Sequence, residues 1–313
     1  MRQFFGIVEI RTKIVSVSTL LLGNLYAILR TGSWDPLKGG LLIAAALLVD
    51  MGTTGFNTYF DYWNGVDDKR FNRESSKVVV HEDVPWGWAL VISAGLFALA
   101  MPLGAALALL TGFRVILYGL FGMAVGFLYT GGPFPISRTP FGEFFAGGAL
   151  GSLLFVLTHF VQAGFTDWQV VLASLPSSLA IAAILTVNNT CDIEGDRASG
   201  RRTLSILLGR AWGERIAVLL AAGAQLLLAL LALAAYRRPA ALLIPLPFFL
   251  ASLMEFRGMH RRGYGHETKE AAMGGISKVF LLFTAAAAFL YLTAILTGPA
   301  GPAGPASLAG GPG

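Results

Sequence analysis

Charge is scarce in this chain. Asp, Glu, Lys and Arg make up 13% of its 313 residues, whereas hydrophobic side chains make up 55%. A soluble domain devotes about a quarter of its residues to charge, so a water-soluble globule is excluded. Cysteine is nearly absent: Cys191 stands alone, beside four histidines in the whole chain. A single thiol forms no internal disulfide, and no Cys/His cluster offers a zinc or iron–sulfur site. Cys191 reads as a small buried filler. The apolar runs do not alternate with polar residues, which leaves helices as the membrane-spanning elements because each satisfies its own backbone groups.

What is present is a series of apolar runs of membrane-crossing length. Nine spans are predicted at about 14–30, 40–60, 86–111, 114–130, 144–163, 168–191, 214–236, 239–256 and 279–297. The expected fold is therefore an all-α polytopic membrane protein, with residues 1–297 as one domain and the Gly/Pro/Ala-rich stretch 298–313 as a disordered tail. The first apolar segment, behind Arg2, Arg11 and Lys13, is long and lacks a clean small-residue cleavage site, so it reads as a retained span. All but five of the 23 Lys and Arg fall on one side of this layout, the five being Arg30, Lys38, Arg114, Arg237 and Arg238. The positive-inside rule makes the richer side cytoplasmic, with the N-terminus on it and the C-terminus opposite.

Two polar runs interrupt the apolar sequence, and both fall on that cytoplasmic side. The first runs from Asn57 through Asp61 and Gly65 to Asp67 and Asp68, ending the second span; the second runs from Asn188 through Asp192 to Asp196, ending the sixth. Acids at a membrane boundary are costly unless something compensates them. Residues four apart share a helix face, so Asn57 and Asp61 point together, as do Asn188, Asp192 and Asp196. Gly65 can release its helix and let Asp67 fold back toward them. Carboxylate and amide oxygens suit Mg²⁺, which commonly bridges protein acids to phosphate. Around the acids stand Lys69, Arg70, Arg73, Lys77, Arg197, Arg201 and Arg202, bases able to meet phosphate oxygens. Acids for a metal, bases for an anion and a lipid-embedded position describe a diphosphate on a hydrocarbon tail. Asp50 lies mid-span on roughly the same face, and two states are open to it: protonated, or hydrogen-bonded inside the bundle to orient the site, a supporting and not a metal-binding role; Glu143 is expected at a helix start.

These residues resemble the UbiA-type intramembrane prenyltransferase superfamily, and most closely its 1,4-dihydroxy-2-naphthoate prenyltransferases of menaquinone biosynthesis. Three stretches carry the resemblance: Asn57 to Asp67 with Gly65 inside; Asp192 to Asp196, followed by Gly200, Arg201, Arg202, Thr203 and Gly209; and the Tyr-Thr-Gly-Gly-Pro loop beginning at Tyr129, with Thr158 to Gln162 downstream. Together with the spans they cover nearly the whole chain. The resemblance implies two four-helix units plus a ninth helix. It also implies Mg²⁺ held by Asn57, Asp61, Asp67, Asp192 and Asp196, with Asn188, Tyr129 and Arg138 joining the basic residues as substrate-binding groups. Two departures stand out: Thr58 where bacterial members often carry Asp, and Glu9-Ile-Arg11-Thr-Lys13 in place of the usual Arg-Pro.

The activity implied is Mg²⁺-dependent transfer of a polyprenyl group from a prenyl diphosphate to 1,4-dihydroxy-2-naphthoate, giving demethylmenaquinone, at the cytoplasmic face of the plasma membrane. Tyr129, Phe134 and Tyr59 are candidate aromatic faces for an allylic cation, and Arg138, Lys13 or Arg11 for orienting the acceptor carboxylate. The expected partners are those two substrates and the lipid bilayer, with no nucleic acid. Two alternatives stay open: another aromatic acceptor of the 4-hydroxybenzoate type, and a secondary transporter using its intramembrane acids as ion sites.

Overall fold

The computed structural model describes residues 2–66 and 84–297. Expectations for Asp67, Asp68, Lys69, Arg70, Arg73 and Lys77, and for the tail, lie outside the described residues. Among those described there is no strand. The helices are α1 (Arg2–Ile7), α2 (Ile14–Thr31), α3 (Pro36–Trp63), α4 (Gly87–Thr111), α5 (Arg114–Thr130), α6 (Gly142–Ala163), α7 (Trp168–Cys191), α8 (Ile193–Ala198), α9 (Leu204–Leu208), α10 (Arg210–Tyr236), α11 (Leu246–Arg262) and α12 (Lys269–Thr297). Eight of them, counting the 3₁₀ turns that lead into α2, α11 and α12, are long and apolar enough to cross a membrane. The apolar α5 is shorter, at 17 residues. The protein is a multi-pass helical membrane protein.

The last two long helices overrun their apolar stretches. The segment 257–278, expected as a loop, is largely the end of α11 and the start of α12, with only 263–268 connecting them. Met259, Ala272 and Ile276 are buried where these ends pack, and a Cβ on Gly275 would lie 2.6 Å from Met259 Cγ. Hydropathy marks the thickness of hydrocarbon, whereas a helix continues as long as its backbone bonds and side-chain contacts are satisfied. The connection 192–213 likewise holds α8 and α9.

α6 and α7 cross with almost no side chain between them. A Cβ on Gly147 would come within 2.5 Å of Ser178 O, and one on Gly151 within 2.4 Å of Ser178 Cα. Two small residues four apart allow this approach, as in other membrane helix pairs. The crossing falls on a π-helical turn, Gly147–Leu153. There Ser178 Oγ donates to Gly147 O at 2.9 Å, and Ser152 Oγ lies 2.6 Å from Ser178 Oγ.

At the end of the bundle remote from the acidic runs, Asp35 caps α3 by accepting from Leu37 and Lys38 N–H, and Asp167 caps α7 by accepting from Val170 N–H. Arg30 joins α2 to that second cap, with Nη2 2.8 Å from Asp167 Oδ2.

Inside the bundle, α2 and α3 are joined by a buried ion pair. Lys13 Nζ donates to Asp50 Oδ1 and to Thr54 Oγ1, each at 2.6 Å, and Ser16 Oγ donates to Asp50 Oδ2 at 2.6 Å. A longer contact, 3.3 Å to Asp50 O, takes the third ammonium proton. Asp50 therefore bonds within the bundle as its mid-span position implied. Lys13, considered for the acceptor carboxylate, has all its donors spent on α3. Removing one partner of a buried pair strands the other charge and typically costs about 3–5 kcal/mol, whereas replacing both with apolar groups is close to neutral. Lys13→Met alone should thus lower the unfolding temperature in detergent much more than Lys13→Met with Asp50→Leu; equal losses would show that the pair does not brace α2 on α3.

Candidate active site

The two acidic runs end their helices in the same way. After α3 the chain turns through Gly65 at φ +69°; Gly65 N–H donates to Tyr62 O at 3.1 Å and Val66 N–H to Asp61 O at 2.8 Å. After α8 it turns through Gly200 at φ +79°; Gly200 N–H donates to Arg197 O at 3.1 Å and Arg201 N–H to Asp196 O at 2.9 Å. Both are Schellman caps, in which glycine takes the left-handed position without strain. In each, the aspartate is the third residue from the helix end and the glycine follows it by four.

A carboxylate in the last turn of a helix faces the negative end of the helix dipole, so it needs a cation. Arg201, the residue that closes the second cap, serves both acids. Its Nη2 lies 2.7 Å from Asp61 Oδ1 and its Nη1 lies 3.1 Å from Asp196 Oδ1. Asp192, at the end of α7, is met by Lys269 from the start of α12, Nζ to Oδ2 at 2.6 Å. Burial pushes the Asp196 carboxyl up to about 6, against the opposing pull of Arg201. Burial would weaken the proton affinity of Arg201, but Asp61 and Asp196 outweigh it and raise it, so the guanidinium stays charged.

These side chains form the polar end of a cavity of about 1040 Å³. Asn57, Asp61, Asn188, Asp192, Asp196, Arg201 and Lys269 line it there, and apolar side chains such as Leu42, Leu107, Val115 and Leu157 line it elsewhere. On α3 alone the lining runs from Leu42 to Asp61, a reach of about 28 Å at helical rise. Every long helix except α10 and α11 contributes, so the halves of the chain share the cavity unevenly.

Some expected site residues stand elsewhere. Arg138 is not part of the lining: its Nη2 donates to Ser199 O at 2.6 Å and its carbonyl accepts from Arg202 N–H at 2.9 Å. The two thereby tie the loop after Tyr129 to the second acidic run, and the Arg202 side chain is exposed. Tyr129 lines the cavity, but Phe134 is 87% exposed and Tyr59 stacks on Trp63 and meets Trp86 at a tilt, outside the lining. Asn57 Oδ1 accepts from Thr130 Oγ1 at 2.8 Å. Sequence reasoning missed Lys269, which sits 77 residues from its partner and carries no local spacing signal. It also missed Asn189, which lines the cavity beside Asn188.

Among the described residues, no three His, Cys, Asp or Glu side chains are clustered closely enough to hold a metal ion as they stand. Arg201 and Lys269 occupy the carboxylates in this arrangement. The donor set still suits Mg²⁺: three carboxylates and two amides, all offering oxygen, line one end of one cavity, and Asp196 Oδ2 is buried without a partner among the described residues.

The UbiA prenyltransferase family model matches residues 16–276. The chain belongs to this family. It is 36% identical over 168 residues to a 1,4-dihydroxy-2-naphthoate octaprenyltransferase of Bacillus subtilis, 54% of each chain. It is 30% identical over 196 residues to the UbiA prenyltransferase domain-containing protein 1 of Danio rerio, 62% of this chain and 57% of that one. The match thus spans little more than half the length of these curated relatives. Among solved structures, a UbiA homolog from Archaeoglobus fulgidus bound to DMAPP and Mg²⁺ superposes at TM-score 0.64 with 15% identity, over 94% of this chain and 99% of that one. A digeranylgeranylglyceryl phosphate synthase gives TM-score 0.58 at 20% identity, over 91% and 97%. Both share the fold.

A metal that binds Asp196 must displace its proton below about pH 6. Titration of the purified UbiA family protein with Mg²⁺ should show affinity falling as pH drops from 7 to 5, with protons released on binding, and Asp196→Asn should flatten that dependence. Affinity independent of pH in the unsubstituted protein would remove Asp196 from the metal site.

Proposed function

We propose that this chain transfers a polyprenyl group from a prenyl diphosphate to an aromatic acceptor, with 1,4-dihydroxy-2-naphthoate as that acceptor. One observation carries the reading: Arg201 clamps Asp61 and Asp196, beside the Asp192–Lys269 pair, at the polar end of a long apolar cavity. That combination accommodates a charged head and a hydrocarbon tail. The name of the Bacillus subtilis relative supports the acceptor, and the Archaeoglobus fulgidus homologues bound to Mg²⁺ with DMAPP or GPP support the donor and the metal.

Asp61, Asp192 and Asp196, with Asn57 and Asn188, would hold Mg²⁺, which when bound neutralises charge growing on the diphosphate as it leaves. Asp67 and the bases from Lys69 to Lys77 are proposed to complete this site. Arg201 presents paired N–H donors suited to phosphate oxygens, and Lys269 a point charge. The allylic C–O bond breaks with its electron pair leaving on the diphosphate. A ring carbon of the acceptor then attacks the allylic carbon; with the naphthoate, carbon dioxide departs from the carbon that is prenylated. The apolar walls keep water from the cation, and the Tyr129 ring offers it a π face. The skew of Lys and Arg supports a cytoplasmic N-terminus and acidic end; the plasma membrane as location and residues 1–297 as one prenyltransferase domain are part of the same proposal.

Membranes containing the protein, given Mg²⁺, a labelled polyprenyl diphosphate and a panel of phenols, should prenylate 1,4-dihydroxy-2-naphthoate. Asp61→Ala and Asp192→Ala should each lower turnover by at least about 100-fold while the purified variants stay folded. Undiminished turnover in Asp192→Ala would overturn the site, and exclusive use of 4-hydroxybenzoate would overturn the acceptor.

A further inference from the structure

Asn189 and Glu143 form a buried pair that the reaction as described does not use. Glu143 is 4% exposed and Asn189 is 5% exposed. Asn189 Nδ2 donates to Glu143 Oε1 at 2.9 Å, and Glu143 Oε2 is buried without a partner among the described residues. Asn189 lies about 100° around α7 from Asn188, so it turns from the shared face of Asn188 and Asp192 toward the start of α6. Tyr129 stands beside it: a Cβ on Gly142 would lie 3.4 Å from the Tyr129 hydroxyl. Tyr129 and Asn189 both line the cavity.

The amide is oriented by its hydrogen bond: Asn189 Nδ2 donates to Glu143 Oε1, so the carbonyl faces the other way. Asn189 belongs to the cavity wall, so Oδ1 is the atom that this geometry offers to a ligand. The notch therefore presents acceptor oxygens. A diphosphate, itself only an acceptor, gains nothing there, whereas a hydroxyl donor does. We propose that Asn189 Oδ1, held in place by Glu143, receives a hydroxyl hydrogen of the aromatic acceptor and so fixes the ring beside the diphosphate end of the cavity. Asn189 is a binding residue in this scheme and Glu143 a positioning residue. The inference rests on the prenyl-transfer reading above.

The test uses purified protein in liposomes with Mg²⁺, a labelled polyprenyl diphosphate, and either 1,4-dihydroxy-2-naphthoate or 1-hydroxy-2-naphthoate, which lacks one ring hydroxyl. Asn189→Ala should raise the acceptor KM by up to about tenfold, the range of one lost hydrogen bond, and leave the diphosphate KM within about twofold. Glu143→Leu frees the amide to turn and should do the same, whereas Glu143→Gln can still accept from Nδ2 and should restore the KM. The penalty should shrink with the analogue if its missing hydroxyl is the one bound, and persist if the remaining one is. Melting curves accompany each variant, with Asn189→Ser, too short to reach the same point, replacing the alanine variant should that fail to fold. An unchanged acceptor KM, a raised diphosphate KM or Mg²⁺ requirement, or equal impairment of folded Glu143→Leu and Glu143→Gln would overturn the assignment. A wild-type protein inactive with every phenol would overturn the activity itself; an active one with unaffected variants would sink this inference alone.

Discussion

Arg201 holds together carboxylates that have every electrostatic reason to separate. Asp61 and Asp196 sit in the last turns of α3 and α8, at the negative ends of their helix dipoles and largely out of water. A single guanidinium reaches both because its planar fork presents separate N–H donors, a geometry that a lysine ammonium lacks. The backbone at Arg201 closes the cap of α8 on Asp196, so the cation is delivered by the same turn that ends the helix. The clamp thereby joins the first half of the chain to the second at the point where the cavity becomes polar.

Everything else in the bundle positions or isolates that point. The Lys13–Asp50 pair fixes α2 on α3 below it, and the glycine crossing of α6 on α7 brings Glu143 within reach of Asn189. Lys269 arrives from α12 because that helix begins well before its apolar stretch. Arg138 and Arg202 bind the connecting loops to one another, whereas Arg11, Arg201 and Lys269 line the cavity, the last two paired with its aspartates. Charge is thus concentrated where it is paired, while the length of α3 beneath it is faced by aliphatic side chains. A buried ionic network of this kind tolerates the loss of a member poorly, because each remaining charge is left without compensation.

Much of this was legible in the sequence. Apolar runs announced the helices, and Gly65 announced the end of α3; the matching turn at Gly200 became visible only in the structure. The bundling of Asn57 with Asp61, and of Asn188 with Asp192, followed from helical periodicity. The limits of α11 and α12 did not, because hydropathy falls off where hydrocarbon ends and says nothing of where a helix stops. Nor did the fate of the cations: Arg138 and Arg201 are equally basic in sequence, yet one bonds a loop carbonyl and the other bridges two acids.

The sequence by itself determined the helical class, the positions of the acids on their helix faces and the glycine turns after them, since these depend on interactions between residues a few positions apart. Tertiary structure alone decided which base meets which acid, that Lys13 is spent on Asp50, and that Asn189 turns its carbonyl away from Glu143. Those pairings join residues 37, 46, 77 and 140 positions apart, and at such separations only the packing of whole helices selects the partner.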